Sequence, residues 1–412
     1  MQPLLKNMIY RLKRVYHWLI TGVRTGLAYQ LYYGFPEKKL KIITITGTDG
    51  KTTSATLVYQ LLKQANFKVA LISTVAAYIG DEKIDTGFHV TSPAPHQLYA
   101  FMAQMIKKGV EYLVLEVTSQ GTYQWRDWGI HPLIAGVTNV ERDHLDYHLT
   151  WENYLAAKML ILNKAKTVVV NSDGNYFSAL KKNLRSHINL LTFSKNTRFS
   201  ASLEKIIRTK FSEDFNRLNA YLALSIAKQL ELTDKQLIAG LSQFQLPPGR
   251  MQFIPNKLNA VVIVDFAHTP AGLEAAIKNI RRNHCQKGKK LVVVFGCAGL
   301  RDASKRPVMG RLGASLADLA IFTAEDPRSE NIWTIINQMK SNLTPFEGKV
   351  MSIPHRAQAV SFALSHYAKD GNTVAILGKG HENSMNYDGK SETPWNDIEA
   401  CQKYLHRLEK KN

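Results

Sequence analysis

Short apolar runs rich in β-branched residues recur at 42–46, 68–73, 111–117, 133–137 and 167–171. Between them lie segments such as 52–65 and 96–108, whose apolar residues fall at helical spacing. Strand runs alternating with helices predict a mostly parallel, doubly wound sheet. A second series, at 260–265, 290–295, 318–323 and 372–377, repeats the pattern after Leu246-Pro247-Pro248-Gly249-Arg250-Met251. The Pro-Pro-Gly cluster reads as a linker, so the chain is expected to divide into residues 41–246 and 247–412, each α/β. Ligands of such sheets sit at the C-terminal ends of the strands.

Residues 1–40 follow another pattern. Tyr10, Tyr16, Trp18, Tyr29, Tyr32 and Tyr33 are interleaved with basic residues and almost no acid, and Ile9, Leu12, Tyr16 and Leu19 fall on one helical face. A basic amphipathic helix can lie on a membrane or bind a partner. The expectation adopted is the blander one, a helix packed on the following domain with a solvated basic face.

At 412 residues the chain exceeds one ordinary core, so two or three domains are expected. Hydrophobic content of 45% and charged content of 21% fit a soluble globular protein. A net charge of +20 admits a nucleic-acid or membrane-surface partner. No nucleic-acid recognition motif accompanies it, and an enzyme with polyanionic substrates accommodates the same charge, so no nucleic-acid partner is expected. Cys285, Cys297 and Cys401 form no C-x-x-C pair, which fits a reducing cytoplasm. No apolar run approaches the ~18 residues of a membrane span. Lys6, Arg11, Lys13 and Arg14 interrupt the N-terminal apolar residues, against a secretory signal. A cytoplasmic chain without a transmembrane segment is expected.

The chemistry gathers at strand ends. Ile42 to Ser54 reads I-I-T-I-T-G-T-D-G-K-T-T-S: a strand, a glycine turn at Gly47, Thr48, Asp49 and Gly50, then a helix start. Backbone amides of such a loop and helix N-terminus face an anion. Lys51 would reach terminal phosphates, and Thr52 or Thr53 can hold magnesium through a hydroxyl. The spacing is one residue shorter than the general P-loop, and a lone glycine turn would be bland, but Gly-Lys-Thr-Thr after a buried strand makes this an ATP site. Glu116 ends an apolar strand, where a carboxylate is costly unless paired or metal-bound. The run from Thr138 to His148 offers carboxylates and imidazoles that can bind magnesium with phosphates. Lys158 lies among apolar neighbours in a helix, and composition alone favours a lysine snorkelling to water. In the second half, Asp265-Phe266-Ala267-His268, Gly299-Leu300-Arg301-Asp302, Glu325-Asp326-Pro327-Arg328 and Gly378-Lys379-Gly380-His381-Glu382 each follow a strand. Arg301 and Arg328 suit bidentate carboxylate binding. Four such loops on one sheet edge suggest a binding cleft facing the ATP domain.

Taken in order, the strings G-T-D-G-K-T-T, E-V-T-S-Q, T-N-V-E-R-D-H-L-D-Y-H, A-A-K, P-G-R-M, V-D-F-A-H-T-P, V-F-G-C-A-G-L-R-D, K-R-P-V-M-G, E-D-P-R and G-K-G-H-E resemble the Mur ligase family, most closely its MurE-type, tripeptide-synthetase branch. The resemblance runs from about Lys41 to about Ile398. It implies a P-loop-type central domain with a mostly parallel sheet and a C-terminal Rossmann-like α/β domain. It implies an ATP- and Mg2+-dependent ligase of peptidoglycan precursor synthesis: ATP phosphorylates a substrate carboxylate, and an amine attacks the acyl phosphate to form an amide. By resemblance, Gly47, Thr48, Asp49, Gly50, Lys51, Thr52 and Thr53 bind ATP, with Asn219, Arg250, Asp265 and His268 at nucleotide-contacting positions. Thr52, Glu116 and His144 match metal-binding positions. Lys158 matches the lysine carbamylated in this family, an anion that supports a second magnesium, which replaces the snorkelling reading; with Lys51, Glu116 and His144 it makes up the catalytic set. Thr91, Ser92, Thr118, Gln124 and Arg126 match positions holding UDP-MurNAc-L-Ala-D-Glu. Arg301, Asp326, Pro327, Arg328, Gly378 and Glu382 match those of the incoming diamino acid. Asp326 stands where the branch usually has Asn, but Arg328 remains, favouring meso-diaminopimelate over lysine. The substrates are small molecules, and a monomer is expected.

Two departures accompany the resemblance. Only the basic, aromatic residues 1–40 stand where the family has a uridine-gripping domain, and the stretch between Phe193 and Phe215 is short. They motivate an alternative, a Mur-like ligase acting on another carboxylate acceptor, a lipid-linked precursor or a poly-amino acid. A third reading, a non-catalytic ATP-binding partner docked by its basic N-terminus, is opposed by the intact Lys51, Glu116, His144, Lys158 and His268.

Overall fold

A computed structural model of the chain describes residues 3–80, 82–84 and 91–410. Residues 1 and 2 of the N-terminal segment and 411 and 412 at the other end lie outside the described residues. Two compact units form, Met1–Gln245 and Leu246–Asn412.

The first unit opens with helix α1 (Pro3–His17), which continues through a wider turn over Trp18–Gly26 into α2 (Leu27–Tyr32). The widening shows in the Leu27 N–H, which bonds Gly22 O five residues back. Gly22 and Gly26 let the helix press onto Trp128: a Cβ at either would sit 2.5–2.6 Å from that indole. Trp128 Nε1 in turn donates to Gln30 Oε1 at 2.9 Å, and Gln30 Nε2 to Glu37 Oε1 at 3.0 Å. The Tyr10 ring stacks on Tyr123 at 4.5 Å, and Asn153 Nδ2 donates to Asn7 Oδ1 at 3.3 Å. The helix is therefore packed on the following domain as expected. Its outer face is a correction, however: that face carries exposed Leu5, Met8, Leu12, Val15, Tyr16 and Leu19 and is not merely a solvated basic surface.

Along the chain follow β1 (Lys41–Thr46), α3 (Lys51–Gln64), β2 (Val69–Ile72), β3 (Ala77–Ile79), β4 (Glu82–Ile84), α4 (Pro95–Lys107), β5 (Tyr112–Glu116), α5 (Ser119–Tyr123) and β6 (Ile134–Val137). Then come α6 (Leu145–His148), α7 (Trp151–Leu162), β7 (Thr167–Asn171), α8 (Phe177–Asn183), β8 (Asn189–Phe193), α9 (Ala201–Lys210), α10 (Asp214–Gln229) and α11 (Asp234–Gln243). The sheet order is β4-β3-β2-β5-β1-β6-β7-β8, parallel from β2 to β8, with β3 and β4 an antiparallel edge. β1 is central, and Ile42, Ile43 and Ile45 are buried on both its faces, as a strand flanked by helices requires.

The second unit holds β9 (Gln252–Phe253), β10 (Val261–Asp265), α12 (Pro270–Asn283), β11 (Leu291–Phe295), α13 (Arg306–Leu316), β12 (Leu319–Phe322) and α14 (Ile332–Lys340). It closes with β13 (Val350–Ser352), α15 (Arg356–Tyr367), β14 (Thr373–Leu377), the small antiparallel pair β15 (Ser384–Met385) and β16 (Thr393–Pro394), and α16 (Asp397–Glu409). Its main sheet runs β13-β12-β11-β14-β10-β9, parallel except for β9. Arg356 and Asp397, both fully buried, join α15 to the start of α16 through bonds of 2.8 and 2.6 Å. In such a pair, removing either partner strands a buried charge.

Candidate active site

Sheet order alone brings the C-terminal ends of β2, β5, β1 and β6 side by side, and each end carries polar residues. The loop Gly47–Gly50 leaves central β1 and is clamped from the β6 side. Asn139 Oδ1 accepts from Thr48 N at 3.1 Å and Asp49 N at 2.9 Å, while Thr138 Oγ1 donates to Asp49 O at 2.6 Å. Gly50 has φ +79°, and a Cβ there would lie 2.3 Å from Asn219 Oδ1. Only glycine tolerates both conditions. Asn219, on α10, thus abuts the loop, and it also accepts from Ser54 Oγ on α3 at 3.3 Å. α3 starts at Lys51, so its first amides face outward at the loop. Lys51 Nζ donates to Thr48 O at 2.7 Å across the loop, and Thr52 and Thr53 are buried.

Glu116, at the end of β5, is 1% exposed. Thr52 Oγ1 donates to its Oε1 at 3.2 Å and Thr74 N to its Oε2 at 3.0 Å. Thr74 Oγ1 lies 3.0 Å from both Glu116 Oε1 and Thr91 Oγ1. A buried carboxylate is thus held by donors from α3 and from the residue beyond β2, which meets the requirement read from its sequence context.

Lys158, on α7, is 1% exposed, so the snorkelling lysine that composition favoured does not occur. Its Nζ donates to Gly47 O at 2.7 Å and sits 4.5 Å from the centre of the Tyr154 ring. Burial, and then the charge of Lys51, push its pKa well below the ordinary lysine value, with Asp143 and Asp49 opposing. Both effects disfavour the ammonium form relative to a solvent-exposed lysine. His144, in a left-handed conformation at φ +54°, has its Nε2 3.3 Å from Asp143 Oδ2. His148, fully buried, lies between Tyr10 Oη at 2.8 Å and Ser119 Oγ at 3.0 Å; burial, then Lys158 and His144, drive its pKa down to about 3.

Ser92 and Thr118 meet at 3.0 Å between hydroxyls, Thr118 N donates to Ser92 Oγ at 3.1 Å, and Arg126 Nη1 donates to Ser92 O at 2.8 Å. Gln124 Nε2 donates to Tyr147 Oη at 2.8 Å. Thr91 joins the Glu116 group through Thr74, and its neighbour Ser92 carries the bonds to Thr118 and Arg126.

In the second unit, Asp265 closes β10 and accepts from Met251 N at 2.7 Å and Ala267 N at 2.8 Å. The Arg250 guanidinium lies 4.2 Å from the centre of the Phe266 ring, and the His268 ring lies 4.6 Å from it. Beyond β12 and β14, buried Lys379 pairs with Asp326 at 2.9 Å and Glu382 at 2.5 Å. Asp326 and Arg328 both have positive φ, +43° and +55°, around Pro327, and Arg328 Nη1 donates to Gly299 O at 2.7 Å. Non-glycine residues held there store strain of the kind found at ligand sites. Gly378 N donates to Asp265 O at 3.0 Å, tying the β14 end to β10, whereas Arg301 is exposed. Glu325 is buried, and that burial raises its pKa to about 8.

Residues 45–234 match the Mur ligase middle domain and residues 249–380 the Mur ligase glutamate ligase domain. This chain belongs to the Mur ligase family. It is 34% identical over 372 residues to the UDP-N-acetylmuramoyl-L-alanyl-D-glutamate–2,6-diaminopimelate ligase 1 of Clostridium acetobutylicum, covering 85% of this chain and 75% of that protein. The corresponding ligase of Geobacillus kaustophilus is 33% identical over 395 residues, covering 88% and 79%. A solved UDP-N-acetylmuramoyl-L-alanyl-D-glutamate–2,6-diaminopimelate ligase superposes with a TM-score of 0.58 at 27% identity, covering 92% of this chain and 82% of that one. A Mycobacterium tuberculosis folylpolyglutamate synthase shares the fold at a TM-score of 0.69 and 17% identity, with coverage of 87% and 92%.

As a Mur ligase the chain is an ATP-dependent ligase whose family uses ATP and Mg2+. In the first unit the structure brings Lys51, Thr52, Glu116, Thr91, Ser92, Thr118, Arg126, Lys158 and Asn219 around the loop and its neighbouring strand ends. In the second it gathers Asp326, Arg328, Gly378 and Glu382 beyond β12 and β14, and Arg250, Asp265 and His268 at β10. Thr74, Asn139, Lys379 and Glu325 were not singled out from sequence, and His148 only as one imidazole of the run from Thr138. Each follows a strand or lies in a quoted polar string, which is the only signal they give. Among the described residues, no group of three or more His, Cys, Asp or Glu is arranged to hold a metal.

Proposed function

We propose that this Mur ligase joins meso-diaminopimelate to the D-glutamyl carboxylate of UDP-MurNAc-L-Ala-D-Glu, with ATP converted to ADP and phosphate. The observation that carries this reading is the Glu116 junction: one buried carboxylate contacts Thr52 of the phosphate loop and, through Thr74, Thr91 of the acceptor-matching set. The acceptor carboxylate attacks the γ-phosphorus of ATP, displacing ADP and giving an acyl phosphate. The neutral amine then attacks the acyl carbon; phosphate leaves, and the amine loses a proton as the amide forms. Positioning and charge neutralisation are the protein's contribution.

The donors suit a magnesium ion. Thr52 Oγ1 and Glu116 are hard oxygen donors beside a phosphate loop, and with His144 they would hold Mg2+, which when bound neutralises phosphate charge. Lys51 would contact the phosphates. The depressed pKa of Lys158 supports carbamylation: the unprotonated amine adds carbon dioxide and releases a proton, turning a neutral group into a buried carbamate anion. In the second unit, Arg328 would pair the distal carboxylate of the diamino acid and Glu382 an ammonium, while Lys379 holds Asp326 and Glu382 in place.

The test is product formation from UDP-MurNAc-L-Ala-D-Glu, ATP and Mg2+ with meso-diaminopimelate or L-lysine, read by mass spectrometry. The tripeptide product with meso-diaminopimelate is expected. Arg328→Ala should lose about tenfold or more with meso-diaminopimelate and little with lysine, because only the former loses a carboxylate partner. Equal losses would overturn the amine assignment, and turnover solely with a different carboxylate acceptor would overturn the acceptor.

A further inference from the structure

The N-terminal helix presents a face that the fold leaves uncovered. Leu5, Met8, Leu12, Val15 and Leu19 recur every three or four residues with Tyr16 beside them, and each is exposed, from 42% at Leu5 to 60% at Leu12 and Tyr16. Asn7, Tyr10, Arg14 and His17 are partly buried and turned toward the unit. At about 100° per residue these two faces are centred roughly half a turn apart. Leu5, Met8, Leu12, Tyr16 and Leu19 therefore lie opposite the packed face, while Val15 borders the groove that α1 forms with α7. Leu27, Leu31 and Tyr32, further along the helical segment, are exposed as well. A contiguous apolar row of this size in water marks an interaction surface.

Charge selects the occupant. Exposed Lys6 and Lys13 flank the row on one side and Arg11 on the other, and the first acidic residue of the chain is Glu37. The three–four spacing would also suit a second copy of the helix, but that pairing sets cations against cations with no carboxylate to neutralise them. An anionic lipid surface supplies both an apolar layer and the missing negative charge. We infer that the outer face of α1 seats this chain on an anionic phospholipid bilayer. Its leucine, methionine and tyrosine side chains enter the boundary between headgroups and acyl chains, and Lys6, Arg11 and Lys13 meet headgroup phosphates. The helix lies in the surface plane: no helix among the described residues is long and apolar enough to cross a membrane.

The test is co-sedimentation of the full chain with vesicles of phosphatidylcholine alone or mixed equally with phosphatidylglycerol. Binding is expected only to the mixed vesicles, weakening about tenfold or more in high salt. Leu12→Glu with Leu19→Glu, and separately Lys6→Gln with Arg11→Gln and Lys13→Gln, should each weaken it about tenfold or more. Both variants should keep the parent's circular dichroism and ATP binding, since neither set lies at the nucleotide loop. Parent protein left in solution with the mixed vesicles would overturn the inference. So would a dimer, seen by ultracentrifugation without lipid binding, that Leu12→Glu with Leu19→Glu dissolves; that would assign the face to a second copy.

Discussion

Lys158 has its ammonium form opposed twice, by loss of water around Nζ and by the charge of Lys51, with Asp143 and Asp49 offsetting part of this. A buried amine in that state is a nucleophile for carbon dioxide. Protein equilibrated with carbon-13 bicarbonate should therefore show a carbamate resonance that Lys158→Ala abolishes, and the variant's ligase rate should fall about a hundredfold, without recovery in added bicarbonate. An unchanged rate would remove Lys158 from the chemistry. Glu325 gives a pH signature of its own. Burial raises its folded value from 4.5 to about 8. Between those values the folded state binds more protons than the unfolded one, so stability falls as pH rises through that window and levels off above it. Glu325→Gln removes this slope. Its stability should match the parent's near pH 5 and exceed it by pH 8 by an amount on the order of 1–3 kcal/mol, read as a higher thermal midpoint. Parallel midpoints at all pH values would contradict the burial argument.

The phosphate loop depends on how three elements meet: β1 delivers it, α3 receives it, and α10 closes on it through Asn219. Gly50→Ala forces a Cβ into the 2.3 Å gap at Asn219 Oδ1 in a left-handed backbone. Calorimetry should show ATP affinity down by about tenfold or more, with a stability loss of about 1–2 kcal/mol. Undiminished binding would mean that the loop tolerates displacement. The central strands β1, β5, β6 and β7 and helices α3 and α4 were legible from sequence to within one residue at each end, because continuous β-branched runs between helical segments have few other readings. The edge strands β3 and β4, three residues each, carry too short a pattern to register, and β9 has only two. Site residues were legible where the residue type carries the chemistry, as with Lys51 or Glu116. Thr74 was not, because its hydroxyl matters only once β2 lies beside β5 and brings it to Glu116. The burial of Lys158 was hidden for a similar reason: its helix packs over the end of β1, a tertiary fact that spacing does not encode.

The chain shares its fold over 87% of its length with a folylpolyglutamate synthase at 17% identity, so the fold alone fixes neither acceptor nor amine. The acceptor and amine have to be argued from local groups, the Glu116 junction in one unit and the Asp326–Lys379–Glu382 group with Arg328 in the other. The +20 net charge suits substrates that are themselves polyanions, and the basic helix adds a surface that suits anionic lipid. The central claim is that the chain activates a carboxylate by phosphorylating it. The most direct measurement uses UDP-MurNAc-L-Ala-D-Glu labelled with oxygen-18 in its D-glutamyl carboxylate, with ATP and meso-diaminopimelate, and follows the released phosphate by mass spectrometry. Phosphate carrying one labelled oxygen per amide formed is the predicted result. Unlabelled phosphate would mean that ATP is hydrolysed by water and would contradict the acyl-phosphate mechanism.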